Sequence, residues 1–329
     1  MHYPTDINLL LDAIRKVITL IARLCDESEI AGWRQYKKDI NICKKYYRKA
    51  QNMKKSVSKN NKKKAKREKE IIKAHKKYID IACSFLVRAE ESIKQISQSN
   101  ITFFIEIQEI KKYMQDGYRQ IDQITRRVIN GEEIPHDEKV FSLFERHTEW
   151  ISKGKAGVPQ ELGLNVCILE DQFGFILHHK VMQKLTDKDI AVEMVEETKK
   201  RFQNIKSCSF DRGFYSPDNR ECLDEILDKV ILPKKGKLSL EDKEREYDEE
   251  FLSGKKKHSC IESAINAMKN HGLDRCLDHG IVGFKRYVAL AVVARNIQIF
   301  GNYLQQQELK KLVKKEKFKR SNNELKKAS

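Results

Sequence analysis

Two acidic residues stand where phosphate chemistry would need them. Asp211 closes a short β-prone run, residues 206–210, and is followed by the turn-forming stretch RGFYSPDN, residues 212–219. A carboxylate at the C-terminal end of a strand in an α/β sheet faces the crevice where ligands bind. An aspartate ahead of a glycine is also an ordinary turn former, and that reading stays open at this point. Glu262 falls in a helical stretch with Asn266 and Lys269 four and seven residues further on, so the three share one helix face. A metal ligand, a polar helper and a cation directed at phosphate fit that face, and so does a plain solvated surface.

Basic residues supply the second set of candidates. Lys62, Lys63, Lys64, Lys66 and Arg67 crowd a stretch with no apolar face, and Lys234, Lys235 and Lys237 follow a strand end. Each group suits contact with a nucleic-acid backbone or a solvated charge run. His178 and His179 are adjacent in a β-prone run, where neighbouring side chains face opposite sides, so they are poor joint metal ligands. Trp150 is a packing anchor or a base-stacking platform. The eight cysteines form no Cys-x-x-Cys pair, so the sequence signals neither a zinc site nor a disulfide framework, and reduced thiols are expected.

The elements that must position these groups differ along the chain. Across residues 7–130 the apolar positions recur at alternating steps of three and four. Leu10, Ile14, Val17, Ile21 and Leu24 form one stripe, and Tyr36, Ile40, Cys43 and Tyr47 a second. Ile71, His75, Tyr78, Ala82 and Phe85 make a third, and Ile107, Ile110, Met114, Ile121 and Val128 a fourth. Four helices in antiparallel hairpins would bury these stripes against one another. After the turn near residues 130–135 the pattern shifts to short β-rich runs. Residues 164–169 and 173–182 read as a hairpin, 186–202 as a helix, and 206–210 and 229–232 as parallel strands joined by a helix at 219–227. Residues 259–270 and 284–304 read as helices, the latter apolar on nearly every side and expected to lie buried against the sheet.

The expected domains are therefore a helical region at 1–135, an α/β domain at 136–305, and a basic, disordered tail at 306–329. The chain carries 65 Lys+Arg against 48 Asp+Glu, a formal charge of +17, which points to a polyanionic partner, with nucleic acid ahead of acidic lipid. The longest apolar run, residues 288–294, is too short to span a bilayer, and a cytoplasmic protein without membrane contact is expected.

Several ordered blocks carry a resemblance. FERHTEWISKGK (144–155), CSFDRGFYSPDN (208–219), HSCIESAINAMKNHGLDRC (258–276) and GFKRYVALAVVARN (283–296) together resemble the catalytic region of bacterial insertion-sequence transposases of the DDE class. The resemblance covers the chain to about residue 304. It implies an RNase H-like mixed sheet with flanking helices, following a large helical region. It implies cleavage and strand transfer of double-stranded DNA, with two divalent ions, Mg²⁺ or Mn²⁺, held by Asp, Asp and Glu. Asp211 resembles the second aspartate of that set and Glu262 the glutamate. A homodimer is a candidate assembly.

In relatives the first aspartate sits a few residues before a His-Tyr-Pro-Thr-Asp block, and this chain opens MHYPTD. The expectation is a copy without its central first strand and with impaired catalysis, for which Glu145 or Asp171 would be a poorly placed substitute ligand. The alternative is a non-catalytic DNA-binding or helical interaction protein derived from a transposase. An RNase H-like nuclease that cuts without joining is a more remote third reading.

Overall fold

The computed structural model describes residues 4–53, 58–99, 101–152 and 160–328. The chain is mostly helical (67%) with small sheets of few strands. It forms two compact units, Met1–Thr148 and Glu149–Ser329.

In the first unit the apolar stripes become α1 (Asp6–Glu27), α2 (Tyr36–Gln51), α3 (Asn61–Ser99) and α4 (Phe104–Ile124). Thr5 starts α1 by accepting the Asn8 N–H at 3.3 Å, a cap that satisfies a donor with no intrahelical partner. Cross-helix contacts fix the directions. The Tyr47 hydroxyl donates to Asn8 Oδ1 at 2.9 Å, and Arg88 pairs with Asp39 at 3.0 Å while Tyr47 meets Tyr78 edge-on. The Tyr118 hydroxyl donates to Glu90 at 2.9 Å, and Arg127 grips Asp6 with two nitrogens, each at 2.7 Å. These pairs require an up-down-up-down bundle. Leu10, Ile14, Ile18, Ile21, Tyr78, Leu86, Ile96, Ile110 and Ile124 lie fully buried in its core.

Residues 136–148 join this unit, not the second one. The β-prone run around Leu143 forms no strand; Leu143 is buried against Leu9 and Ala13, and Arg146 pairs with the buried Asp116 carboxylate at 2.6 Å. A short apolar run cannot be assigned to strand or loop by period alone, and here one anchoring leucine satisfied it.

The second unit holds the strands. β1 (Glu149–Ser152) pairs antiparallel with β2 (Gln160–Gly163), and β3 (Val166–Glu170) with β4 (Ile176–Val181). Asp171 shapes the turn between β3 and β4, its Oδ1 accepting the N–H groups of Phe173 at 2.8 Å and Phe175 at 2.9 Å, with Gly174 at φ +89°. Helix α5 (Asp187–Arg201) opens with a Thr186/Asp189 capping box. β5 (Ser207–Ser209) and β6 (Lys229–Ile231) are parallel and joined through α6 (Pro217–Ile226), the expected βαβ unit. The described strands form three separate two-stranded sheets, whereas one mixed sheet was expected.

The highly charged residues 239–257 fold into α7 (Leu240–Glu246) and α8 (Glu249–His258), each started by an acidic or serine cap. Asp242 in α7 is buried and bonded to Lys234, to the Ser239 hydroxyl at 2.6 Å and to the Ser239 N–H at 3.1 Å. The Lys234 ammonium, followed by these Ser239 donors, holds the Asp242 carboxyl well below the usual carboxylate range. Because its folded pKa lies under the unfolded one, its stabilisation is full above about pH 4 and lost as pH falls through the folded value. Asp242→Asn is therefore expected to unfold earlier than the parent at pH 7, with the gap closing in acid unfolding curves below about pH 4.

After α9 (Ile261–Met268) comes α10 (Gly280–Ala328). Two expectations fail here. The helix runs through the region expected to be a disordered tail, because residues 306–328 are mostly good helix formers with neither glycine nor proline. It is also less buried than its composition suggested: Val288, Ala291 and Val292 are covered, while Leu290, Val293, Ile297 and Phe300 are exposed. Only one side of α10 meets β4 and α9. Asn296 makes the polar tie: its Oδ1 accepts the Ile176 N–H at 2.9 Å and its Nδ2 donates to the Ile176 carbonyl at 3.0 Å. Removing both bonds in Asn296→Ala is expected to cost about 2–4 kcal/mol, read as a lower urea midpoint of the second unit. Among the described residues, no helix is long and apolar enough to cross a membrane.

Candidate functional site

Asp211 is positioned by β5 and the turn behind it. Phe210 is buried, and its N–H bonds the Ile231 carbonyl at 2.9 Å, so the β5–β6 pairing carries the chain to the edge of Asp211. The Asp211 Oδ1 then accepts the Arg212 N–H at 2.7 Å and starts a single 3₁₀ turn, Arg212–Phe214. The turn-forming role weighed from sequence is thus realised. It uses one carboxylate oxygen and leaves the side chain exposed.

Two residues that sequence reasoning missed lie within reach of the Asp211 charge. The first is Asp187, in the opening turn of α5. Its carboxyl is half-buried, and burial, then the charge of Asp211, pushes its pKa up. Gly213 makes the room: a Cβ there would lie 2.7 Å from Asp187 Oδ2. Asn219 ties the two segments, its Nδ2 donating to the Lys188 carbonyl at 2.7 Å and the Phe214 carbonyl at 2.9 Å. The second is His258, at the end of α8, with Nδ1 3.2 Å from the Ser209 hydroxyl. Burial lowers its pKa, and the nearby negative charge of Asp211 opposes that shift in part. No local pattern marks either residue, since only the tertiary fold brings α5 and α8 to the end of β5.

Glu262 lies one helical turn beyond His258. Ser259 (φ −61°, ψ −18°) and Cys260 (φ −64°, ψ −24°) keep helical backbone between α8 and α9, so residues 258 and 262 fall on neighbouring positions of one face. Glu262, Asn266 and Lys269 share the exposed side of α9, opposite the buried Ala264 and Met268, as their spacing predicted.

No known protein family, curated protein or solved structure matches this chain.

The remaining candidates separate into used and unused groups. The Lys234 ammonium pairs with Asp242 and its N–H bonds Glu246 at 2.7 Å, so this lysine serves the fold. Lys235 and Lys237 are exposed on either side of Gly236. Lys62, Lys63, Lys64 and Lys66 are exposed, and Arg67 pairs with Glu70 at 3.1 Å. Asp171 shapes the β3–β4 turn with its Oδ1, a turn-forming role like that of Asp211. His178 is buried in β4 beside Glu197 at 3.0 Å, and burial lowers the pKa of both His178 and His179. Residues 1–3 and 153–159, parts of the blocks that carry the resemblance, lie outside the described residues.

Carboxylates suit a hard divalent ion, and the mutual repulsion of Asp187 and Asp211 is what a cation would relieve. Among the described residues, however, no group of three or more His, Cys, Asp or Glu side chains is arranged to hold a metal ion. The donors present therefore fall short of a complete centre.

Proposed function

We propose that this chain is a DNA transposase of the DDE class with an RNase H-like catalytic unit, in which Asp211 and Glu262 are two of the metal-binding carboxylates. The observation that carries the reading is what gathers at the end of β5: the turn after Asp211 packs at Gly213 against the half-buried Asp187, the His258 imidazole bonds Ser209 two residues before Asp211, and Glu262 stands one turn past that imidazole. The order of elements agrees with it: an antiparallel hairpin, a helix, a strand ending in aspartate, a parallel strand and a later helix bearing glutamate. Mg²⁺ or Mn²⁺ supplies, in such enzymes, charge neutralisation for in-line phosphoryl transfer. The chain's own part is to hold the carboxylates at the strand end, to keep His258 neutral beside them, and to offer Asn266 and Lys269 toward a phosphate. Double-stranded DNA is the proposed substrate and a homodimer the proposed assembly.

Calorimetric titration of the chain with Mn²⁺ tests this reading. Binding that disappears in both Asp211→Asn and Glu262→Gln supports it, and a parent chain that takes up no Mn²⁺ overturns it. One observation favours a second reading, a DNA-binding protein without catalysis: among the described residues no three His, Cys, Asp or Glu side chains are grouped to hold a metal ion. DNA affinity together with no Mn²⁺ uptake would select that reading.

A further inference from the structure

The charge of this protein is not spread evenly. Residues 36–77 hold 18 lysines and arginines against three acids, a net of +15, so the other 287 residues share only the remaining +2 of the +17 total. The stretch comprises α2, the connection after it and the first part of α3, all in the helical unit.

The structure shows why this charge is available. Tyr47 lies against Tyr78 and Asp39 against Arg88, so α2 and α3 run antiparallel, and α2 ends at Gln51 opposite about residue 74 of α3, counting one residue per step along each helix. No residue from 61 to 74 belongs to the buried core, which on α3 is first met at His75 and Tyr78. The opening of α3 is therefore an arm outside the buried core, with Arg67, Ile71, Ile72 and Ala74 only partly covered. Along it Lys62, Lys66, Lys69, Lys73 and Lys76 are all exposed at steps of four, three, four and three, one face spanning about 21 Å. Behind the base of the arm, where α2 runs along α3, α2 exposes Lys44, Lys45, Arg48 and Lys49, which with Asn41 line a shallow hollow of about 430 Å³. The three acids offset little: Asp39 is taken by Arg88 and Glu70 by Arg67.

Like charges at i, i+4 oppose helix formation, and an arm outside the core has no core packing to offset them. An extended polyanion removes that repulsion. We infer that the α2 face and the α3 arm form one grip for the phosphate backbone of double-stranded DNA, indifferent to base sequence. A bare helix about 10–12 Å across fits the major groove, which is about 12 Å wide. The lysine stripe spans about six base pairs at roughly 3.4 Å each. Lysine acts as a point charge on phosphate and not as a planar reader of bases, hence the lack of sequence choice. An anionic membrane fits less well, because among the described residues no large hydrophobic side chain is exposed between residues 36 and 77 to enter the lipid. The grip rests on the DNA reading alone and needs no metal.

Binding of a 20-base-pair duplex of arbitrary sequence, followed by fluorescence anisotropy over a salt series in EDTA, tests it without involving the carboxylates. A variant with Lys62, Lys66, Lys69 and Lys73 all changed to Gln is expected to bind at least about a hundredfold more weakly near 0.15 M salt. Its log–log salt slope should shrink by roughly three to four. A second variant with Lys44, Lys45, Arg48 and Lys49 changed to Gln is expected to lose affinity in the same direction. A control with Lys310, Lys311, Lys314 and Lys315 changed to Gln, four exposed charges on α10, should stay within about threefold. All these positions lie outside the core, and an unchanged melting temperature checks that each variant folds. Parent-like binding by the arm variant, equal loss in the control, or binding to phosphatidylserine vesicles with none to the duplex would each overturn the proposal.

Discussion

Asp211→Asn is expected to lower Mn²⁺ affinity at least about a hundredfold while leaving duplex DNA affinity within about twofold. The floor comes from metal sites in general, where even groups behind the direct ligands cost about 10–100-fold when changed. Asparagine is the informative replacement because its Oδ1 can still accept the Arg212 N–H, so the 3₁₀ turn survives while the charge is lost. Glu262→Gln, on an exposed helix face, should act alike without disturbing packing. The Mn²⁺ response separates the two interpretations of Asp211. In either case, removing its charge relieves Asp187, whose pKa is pushed up by burial and by Asp211, and the metal-free variant should melt no lower than the parent. A variant that keeps parent-like Mn²⁺ affinity would mark Asp211 as a turn residue only.

The largest effect on stability is expected from Ile14→Ala. Ile14 is fully buried in the middle of α1, which packs on α2, α3 and α4. Truncation removes apolar surface from a close-packed site and leaves a cavity, a combined cost of about 2–5 kcal/mol. The loss should be read as faster amide hydrogen exchange across α1, α3 and α4 and as an earlier urea transition. Exchange in α5 and β4, which belong to the other unit, should change little. Equal acceleration in both would mean that they unfold together.

Much of the architecture was legible because local rules decide it. Alternating steps of three and four identify the four bundle helices, and the spacing around residues 170–174 identifies the β3–β4 hairpin. What failed needed information that no local window contains. Whether β3, β5 and their partners join one sheet depends on long-range pairing, and the described strands stay in separate pairs. Leu143 found its place through Leu9 and Ala13, more than a hundred residues away. The apolar composition of residues 284–304 was read as burial, yet exposure depends on how many neighbours exist to cover a helix. At the candidate site Asp211 and Glu262 could be picked out from their elements, whereas Asp187 and His258 could not. Their relevance lies wholly in where α5 and α8 begin and end.

The amide of Asn296 stands in for a strand. By bonding both the N–H and the carbonyl of Ile176, it occupies the outer rim of β4 where another chain could add on by main-chain pairing. At Ile176 a single side chain on α10 thus takes the place that a pairing chain would need. Loss of that side chain should appear as thioflavin-positive aggregates at protein concentrations the parent tolerates.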